Sequence, residues 1–527
     1  MLKNMFSAVL AFVKNKTNWL SFIAGLSLVF AYAPFEQWWL PLIIIPCWLF
    51  LLDKNNTKPV QACYAFAVGW FTSGISWVHV SIADFGGMPL LVSLLLMFFL
   101  CLYLALYPAL SCWLSIKTAR YINSEQKLNL WLLAPFWLLT EYFREHFLTG
   151  FPWLSLGYSQ INSPLNSLVP IVGETGITLV LLLLSIALVR LFQAKERILS
   201  ALIIIFCGVS IVFASTQSWV TATGKTIKTA LVQGNIAQEL KWLPEKEWPT
   251  LELYLSLTEA TQNIDIFVWP ESAIPALEPS VQDYLKVVNE HANSTNSAVI
   301  TGIINYNFEQ RSFFNSVIVL GNKTDQQAFG NYLYGHENRY SKHHLLPIGE
   351  FVPFEDWLRP IAPLFNLPMS SFKRGDYIQP NLQAKDIQIL PLLCFEIAFP
   401  EQLAANYTDD TQLLLTVSND AWFADSHGPH QHMEIARMRA LEFGRPLVRS
   451  TNTGITAAVD HFGQFINQLP QFEQGVLISD IALVEGITPY AKWGRMPIYS
   501  FAFGFLLLML YLARRQSRCQ PNLSKQD

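Results

Sequence analysis

Long apolar runs separated by short polar breaks fill the first 215 residues and return near the C-terminus. Between them the pattern changes to short apolar runs. The long runs fall at about 18–34, 38–53, 61–81, 89–115, 128–147, 170–192, 198–215 and 497–513. A helix needs roughly 20 apolar residues to cross the hydrocarbon of a bilayer, so the pattern predicts eight membrane helices, the second being the shortest. Lys3, Lys14 and Lys16 precede the first run, and Lys54 and Lys58 follow the second. Lys117, Arg120 and Lys127 follow the fourth, Arg190, Lys195 and Arg197 the sixth, and Arg514, Arg515 and Arg518 the eighth. Eight spans put all of these on one side, while the opposite loops "YAPFEQ" and "IADFGGMP" carry no Lys or Arg. Basic residues mark cytoplasmic loops, so both termini are expected in the cytoplasm and residues from about 218 to 496 outside. Ala31-Tyr32-Ala33 has the look of a signal-peptide cleavage site. Pro34 follows it, and with its locked φ and missing N–H it fits a protease poorly, so the first run is expected to stay.

The middle block reads differently. "TQSWVTATGKT" (216–226) is small, polar and linker-like, and "EGITPYAKWGRM" (485–496) closes the block. "IKTALVQGN", "IDIFVWPE", "SAVITGIINYN", "NSVIVLG", "IQILPLLC", "QLLLTVSND" and "LVRSTNTGITAAV" read as strands, several nearly continuous in Val, Ile and Leu. Such runs suit strands buried on both faces. "WPTLELYLSLTEATQ", "VQDYLKVVNEHAN" and "HMEIARMRALEF" read as helices between them. The alternation predicts a layered α/β domain. The expected division is a seven-helix bundle over 1–217, the α/β domain over 218–490, and a last helix with its tail over 491–527.

Composition agrees with a membrane protein that carries a soluble portion. Hydrophobic residues make up 52% and charged residues 14%, and the mean hydropathy is +0.30. The net charge is −4. No basic stripe or nucleic-acid motif is present, so nucleic acid is set aside as a partner.

Seven cysteines are present, and Cys394 alone lies in the middle block. One cysteine cannot form an internal disulfide. It is either a small core hydrophobe or a reactive thiol. Cys394 ends a predicted strand, and ligand sites in α/β sheets lie beyond the carboxyl ends of strands. A nucleophilic thiol needs a base or a positive charge nearby. Glu271 ends "IDIFVW", and Lys342 and Glu350 lie in "RYSKHHLLPIGEFVP" after "NSVIVLG". A Glu can take the thiol proton and return it, and a Lys can stabilise a thiolate and a developing oxyanion. Taken alone, each reads first as a solvated surface charge, since Lys and Glu are mostly exposed.

Together these residues resemble the Glu-Lys-Cys triad of the nitrilase (carbon–nitrogen hydrolase) superfamily. "LVQGNIAQELKW", "WPESAIP", "KHHLLPIGEFVP", "LPMSSFKRG", "TVSNDAWF", "ARMRALEFGRPLVRSTNTGITA" and "GITPYA" resemble, in that order, the apolipoprotein N-acyltransferase family. So do "HVSIADFGGMP" and "TGFPWLSLGYSQI". The resemblance implies an enzyme of the bacterial inner membrane whose periplasmic domain is an α-β-β-α sandwich. It implies transfer of an acyl chain, typically the sn-1 chain of phosphatidylethanolamine, to the α-amino group of the S-diacylglyceryl cysteine of an apolipoprotein. The acyl chain would pass through a Cys thioester. It implies Glu271 as base, Lys342 as oxyanion-stabilising residue and Cys394 as nucleophile, with Glu350 and Glu396 in support. Trp242 and Asn235 lie in a stretch resembling the site wall, and Asn315 and Trp422 join them as candidate substrate contacts. Where the family commonly has Tyr after the Cys, this chain has Phe395, which keeps the ring and loses the hydroxyl.

No cofactor is expected. His427, His430 and His432 with Asp425 lack the spacing of helical metal ligands, and no HExxH occurs, so no metal is expected either. Arg437, Arg439 and Glu442 are expected to brace the fold by ion pairs. Ser155 in "WLSLG" lacks the first Gly of a nucleophile elbow. Glu141, Arg144 and Glu145 are expected at a membrane interface rather than on a proton path. Trp242, Trp269, Trp422 and Phe423 serve either as core aromatics or as groups that keep water from a thioester. Two rival readings are a membrane-tethered amidase acting on a soluble substrate and a transporter with a sensor domain. The second would want internal repeats and intramembrane charges, and neither stands out.

Overall fold

The computed structural model describes residues 12, 14–55, 58–122, 128–321, 332–347, 349–351 and 372–518. Lys3, Lys127, residues 348 and 352–353 of "KHHLLPIGEFVP" and residues 367–371 of "LPMSSFKRG" lie outside them. The chain forms two compact units. One is helical and comprises residues up to 79, 90–217 and 493 onward; the other comprises 80–89 and 218–492.

In the helical unit each apolar run lies on a helix, the main ones being Lys16–Ser27, Pro41–Asn55, Pro59–Gly74, Leu90–Leu104, Leu106–Ile122, Leu130–His146, Val169–Arg190, Arg197–Ser215 and Met496–Arg518. By length and composition three stretches can cross a membrane: Leu90–Ile122, Pro164–Arg190 and Arg197–Ser215. A fourth is added if the bent pair Pro59–Gly74 and Val78–Phe85 counts as one span. The remaining apolar helices are too short for that test, so length alone does not deliver the expected eight. Arg197–Ser215 turns Ile198, Leu202, Ile205, Phe206, Val209 and Val212 outward, each more than half exposed. An apolar face of this kind is stable against lipid and costly against water.

Inside the unit, close packing relies on glycine and stacked rings. A side chain added at Gly25 would meet the Phe66 carbonyl oxygen at 1.9 Å, and one at Gly69 would meet the Phe22 carbonyl oxygen at 2.2 Å. Lys16–Ser27 and Pro59–Gly74 therefore touch backbone to backbone, the arrangement small residues permit in membranes. Trp48 stacks on Phe66 with centroids 4.0 Å apart, and Trp70 on Trp137 at 6.2 Å. Glu141, Arg144 and Glu145, expected at an interface, are buried within the unit. Arg144 pairs with Glu141 and donates to the carbonyls of Phe151 and Trp153 at 2.6 and 2.7 Å. Glu145 pairs with Arg495. Their burial follows from what Arg144 does: it satisfies carbonyls in the loop that ends its own helix. Ser155 is also buried, with its Oγ 3.1 Å from Thr178 Oγ1.

The other unit is built on two sheets. The first runs β13-β1-β2-β4-β5-β6, with β3 paired to β4; the second runs β12-β11-β10-β9-β8-β7. The strands of the first are β1 Val220–Gln233, β2 Ile266–Val268, β3 Ile274–Leu277, β4 Ala298–Asn307, β5 Ser312–Leu320, β6 Arg339–Ser341 and β13 Gly475–Gly486. Those of the second are β7 Leu382–Ala384, β8 Ile387–Leu393, β9 Leu413–Ser418, β10 Leu447–Thr451, β11 Ala457–Val459 and β12 Phe465–Gln468. Alternation sorts the side chains. Leu231, Val268 and Ile300 point to the inner core, where they meet Leu393, Leu415 and Val448 of the second sheet. Ala230, Val232, Phe267 and Val299 point outward onto Leu251 and Tyr254 of helix Pro244–Glu259 and Leu285 and Val288 of helix Gln282–Ser294. Helices Pro400–Asn406 and Gly428–Phe443 contact the second sheet, which completes four layers, α-β-β-α.

Two readings of the sequence change here. The "linker" at 216–226 is largely strand: β1 begins at Val220 and pairs antiparallel with β13, Val220 opposite Gly486, with a register shift between Ala222 and Thr226. Its Thr-rich stretch looks like a linker because neither face over 221–226 is buried or needs an apolar residue. The run 447–459 is two strands, β10 and β11, joined by a turn. On helix Gly428–Phe443, Arg439 pairs with Glu442 at 2.9 Å, while Arg437 donates to the Gly463 carbonyl at 2.8 Å and covers the Phe465 ring.

The backbone contact at Gly69 gives a direct test. Gly69→Ala is expected to destabilise the protein in detergent by about 1–3 kcal/mol, the usual cost of overpacking, seen as a lower midpoint of thermal unfolding. Gly208→Ala, at a helical glycine with nothing near the added carbon, should leave the midpoint unchanged or raise it.

Candidate active site

β1, β2 and β4 are mutually parallel, as are β8, β9 and β10. The chain leaves both sets at the same end of the sandwich, and the candidate residues sit just past it. Glu271 follows β2, Lys342 follows β6, Cys394 follows β8 and Asn419 follows β9. A Cβ on Gly302 would lie 2.7 Å from the Glu271 Cα, so β4 can pass beneath the glutamate only because that residue is glycine.

Lys342 is 2% exposed. Its Nζ lies 3.2 Å from Glu271 Oε1, and 3.0 and 2.9 Å from the two oxygens of Glu350. Asn315, placed by β5, donates from one Nδ2 to Glu271 Oε1 and to Glu350 Oε1, both at 2.8 Å. The other oxygen of Glu271 accepts from the Asn419 backbone N–H at 3.1 Å. Burial alone would lower the pKa of Lys342, but the two carboxylates outweigh it and hold the ammonium well above its usual value. Burial alone would raise Glu271; Lys342, the Asn315 hydrogen bond and Lys241 outweigh it and keep the carboxyl below its usual value.

Cys394 is the meeting point. Its φ is +51°, a left-handed conformation that costs a non-glycine residue about 1–3 kcal/mol. The residue is partly exposed, so a reagent can reach it. Burial of the sulfur is the main cause that pushes its thiol up to about 12, with the negative charges of Glu271 and Asp420 adding to it and Lys342 and Ser418 opposing. The resting thiol keeps its proton, beside a carboxylate that can receive one.

Glu396 holds the turn in place. It is fully buried and accepts from the backbone N–H groups of Leu393, His343 and His344 at 2.8, 2.7 and 3.0 Å. Gln402 and the hydroxyl of Tyr340 also donate to it. One carboxylate thus ties the loop carrying Lys342 to the turn carrying Cys394. Burial raises its pKa, and these donors work against the rise. Phe395 is buried; its ring lies edge-on to Phe399 at 5.1 Å, and Phe399 stacks on His344. The ring packs in an aromatic cluster where a hydroxyl is not needed for contact.

The other candidates are placed less centrally. Asn235 has its side chain on the Phe472 carbonyl at 2.7 Å and its own N–H on Asn452 O. Trp242 is 36% exposed. Trp422 packs against Phe85 at 5.1 Å, and its carbonyl accepts from Ser81 Oγ, so "SIADF" belongs with this unit. Trp269 is a core residue, with its indole N–H on Thr258. Phe423 meets the His432 ring edge-on. Among the described residues no group of three or more His, Cys, Asp or Glu side chains is arranged to hold a metal ion. A cavity of about 710 Å³ lined by Arg339, Lys373 and Arg374 includes none of the candidates.

Sequence reasoning missed several members. Lys241 is buried, donates to the Glu271 carbonyl at 3.2 Å, and is lowered by burial to about 8. Its neighbour Trp242 lies in the same motif, and a lysine between Leu and Trp gives no pattern of its own. Asn419 acts through its backbone, and Asp420, His432 and Arg449 meet only in three dimensions.

The sequence matches the carbon-nitrogen hydrolase family over residues 228–488 and the apolipoprotein N-acyltransferase N-terminal domain over 24–187. An apolipoprotein N-acyltransferase of Photobacterium profundum is 49% identical over 94% of this chain and 94% of its own length. One from Shewanella oneidensis is 47% identical over 98% of this chain and 100% of its own. Among solved structures, a CN-hydrolase superfamily protein of Xanthomonas campestris, XC1258, aligns with TM-score 0.34 and 17% identity over 52% of this chain and 96% of its own. Relatives matched end to end at nearly half identity, with both halves of the chain accounted for, place it: the chain belongs to the apolipoprotein N-acyltransferase family.

Proposed function

We propose that this protein is a membrane acyltransferase that moves an acyl chain from a phospholipid, by way of a thioester on Cys394, to the α-amino group of an S-diacylglyceryl cysteine at the N-terminus of an apolipoprotein. The observation that carries the reading is the Lys342 ammonium clamped between Glu271 and Glu350 within the field of the Cys394 thiol. Family membership supplies the reaction class, and the geometry supplies roles.

Glu271 takes the thiol proton as sulfur attacks the ester carbonyl of the donor, the sn-1 chain of phosphatidylethanolamine being the expected one. Lys342 and the Phe395 N–H hold the oxyanion. Collapse expels the lysophospholipid, whose oxygen receives the proton from Glu271, and leaves the thioester. The acceptor amine then attacks, Glu271 receives its proton, and collapse breaks the C–S bond. The sulfur recovers the proton and the product is an amide. Glu350 and Asn315 fix Lys342 and Glu271, and Glu396 fixes the turn. Both substrates carry chains anchored in a bilayer, so the proposed setting is the bacterial inner membrane. Eight spans, cytoplasmic termini and a periplasmic domain over 218–490 fit the distribution of Lys and Arg.

Intact-mass measurement of the full-length protein incubated with phosphatidylethanolamine alone should show the gain of one acyl group, removed by hydroxylamine and absent from Cys394→Ala. An acyl group retained on that variant would overturn the assignment, and turnover of soluble amides without lipid would favour an amidase instead. Glu271→Gln should slow thioester formation by roughly 10²–10⁴-fold, the scale of general-base catalysis. Alkylation of its thiol at pH 10 should match or exceed the parent rate, because a neighbouring negative charge that raises the thiol pKa has gone. Glu396→Gln puts an NH₂ among donors and should cost on the order of 2–3 kcal/mol of stability, read as a lower unfolding midpoint together with reduced acylation.

A further inference from the structure

Behind Cys394 lies a buried polar group to which the reaction above gives no role. His432 Nε2 is 3.0 Å from the Cys394 carbonyl oxygen. A carbonyl only accepts, so this nitrogen carries the hydrogen. On the other side of the ring, Nδ1 lies 2.9 Å from Arg449 Nη2 and 3.1 Å from Asp420 Oδ1. Burial, with Arg449 beside it, holds the imidazole below its usual pKa. Nδ1 accepts from Arg449 in the neutral ring and donates to Asp420 in the charged one, and in both forms Nε2 carries the hydrogen. The second Nη2 hydrogen of Arg449 goes to Asp420 Oδ2 at 2.7 Å, and Ser418 Oγ donates to Asp420 Oδ1 at 2.6 Å. Ser418, Asp420, His432 and Arg449 are each at most 1% exposed. They come from β9, the turn after it, helix Gly428–Phe443 and β10, so the group is fixed by the fold on every side.

What this group holds is one peptide plane. In a trans peptide the carbonyl and the next N–H point in opposite directions, so fixing the Cys394 carbonyl aims the Phe395 N–H. A hydrogen bond accepted by a carbonyl also polarises the amide and strengthens its N–H as a donor. Cys394 needs such support, because its left-handed φ is one the backbone does not choose unaided. On the preceding side the Leu393 N–H is pinned by Glu396.

We infer that His432 is a positioning residue for the oxyanion site, orienting and polarising the Cys394–Phe395 peptide through its Nε2–H. The inference rests on the proposed roles of Cys394 as nucleophile and the Phe395 N–H as oxyanion donor.

Two rates on the full-length protein in detergent separate this role from a general one. Thioester formation from phosphatidylethanolamine passes through an oxyanion; alkylation of Cys394 by iodoacetamide does not. His432→Leu should slow thioester formation by about tenfold or more, a fraction of what deleting a whole oxyanion donor costs, and change alkylation by less than about twofold. His432→Gln, whose Nε2 can reach the same carbonyl, should recover most of the acylation rate. If His432→Leu does not fold, His432→Asn is read in its place, since it stays polar but is too short. Parental acylation in the variants lacking the donor, or equal loss of both rates, overturns the inference. Absence of any thioester on the parent protein would instead strike the proposed function itself.

Discussion

A buried ammonium must be paired or give up its charge, and this constraint organises the α/β unit. Lys342 keeps its charge because two carboxylates reach it from different loops, Glu271 from the end of β2 and Glu350 from the loop that Lys342 itself begins. Asn315 bridges the same two carboxylates from β5. Three segments are thereby held to one point. The glycine at 302 is part of the same arrangement, since a side chain there would push the Glu271 backbone away.

The second constraint is on Cys394. A strand end that turns left-handed at a non-glycine residue needs its neighbours held, and two buried groups do this from opposite sides. Glu396 takes the Leu393 N–H together with two N–H groups of the lysine loop; His432 gives to the Cys394 carbonyl. Neither group is apolar, and both sit where a core residue would otherwise pack. Buried polar groups left partly unsatisfied are costly. Glu396 is surrounded by donors, and Asp420 accepts from Ser418 and Arg449, while Arg449 Nε and Nη1 are buried with no hydrogen-bond partner among the described residues.

How much of this was legible in the sequence follows from how local each signal is. Cys394 and Glu271 each follow a short apolar run, and an apolar run that ends on a chemically active residue marks a strand end in this type of fold; Lys342 follows the polar strand Arg339–Ser341 and carries no such mark. Residues that act through distance left no such mark. Lys241 sits among Leu and Trp without a pattern, and His432, first weighed as a metal ligand, meets Arg449 only because helix Gly428–Phe443 crosses β10. β13 shows no clean alternation, because Ser479 interrupts its inward face of Leu477, Ile481 and Leu483 and its other face mixes Val476, Ile478 and Ala482 with Asp480. The first part of β1 reads as a linker because both of its faces over 221–226 are small or polar and largely exposed. In the helical unit composition marks the helices, but not the partners of Arg144 and Glu145: the Phe151 and Trp153 carbonyls and Arg495 lie in loops and at a helix start that hydropathy does not report.

Charge counting links the two constraints to the proposed chemistry. Lys342 and Lys241 stand beside Glu271 and Glu350, so the site balances while the thiol is neutral. Losing the thiol proton to solvent would leave an unbalanced negative charge in a buried place, which is why the thiol sits near 12 rather than at its ordinary value. A proton passed from sulfur to Glu271 changes no net charge at all. In the proposed reaction, negative charge then grows on a substrate oxygen facing Lys342, as Glu271, now protonated, stops competing for that ammonium. The ion pair that is broken and the oxyanion that is formed are two claims on one Nζ. A lysine shared between two carboxylates at rest therefore becomes available to the oxyanion at the moment the thiol gives up its proton, and Glu350 keeps it from leaving its place.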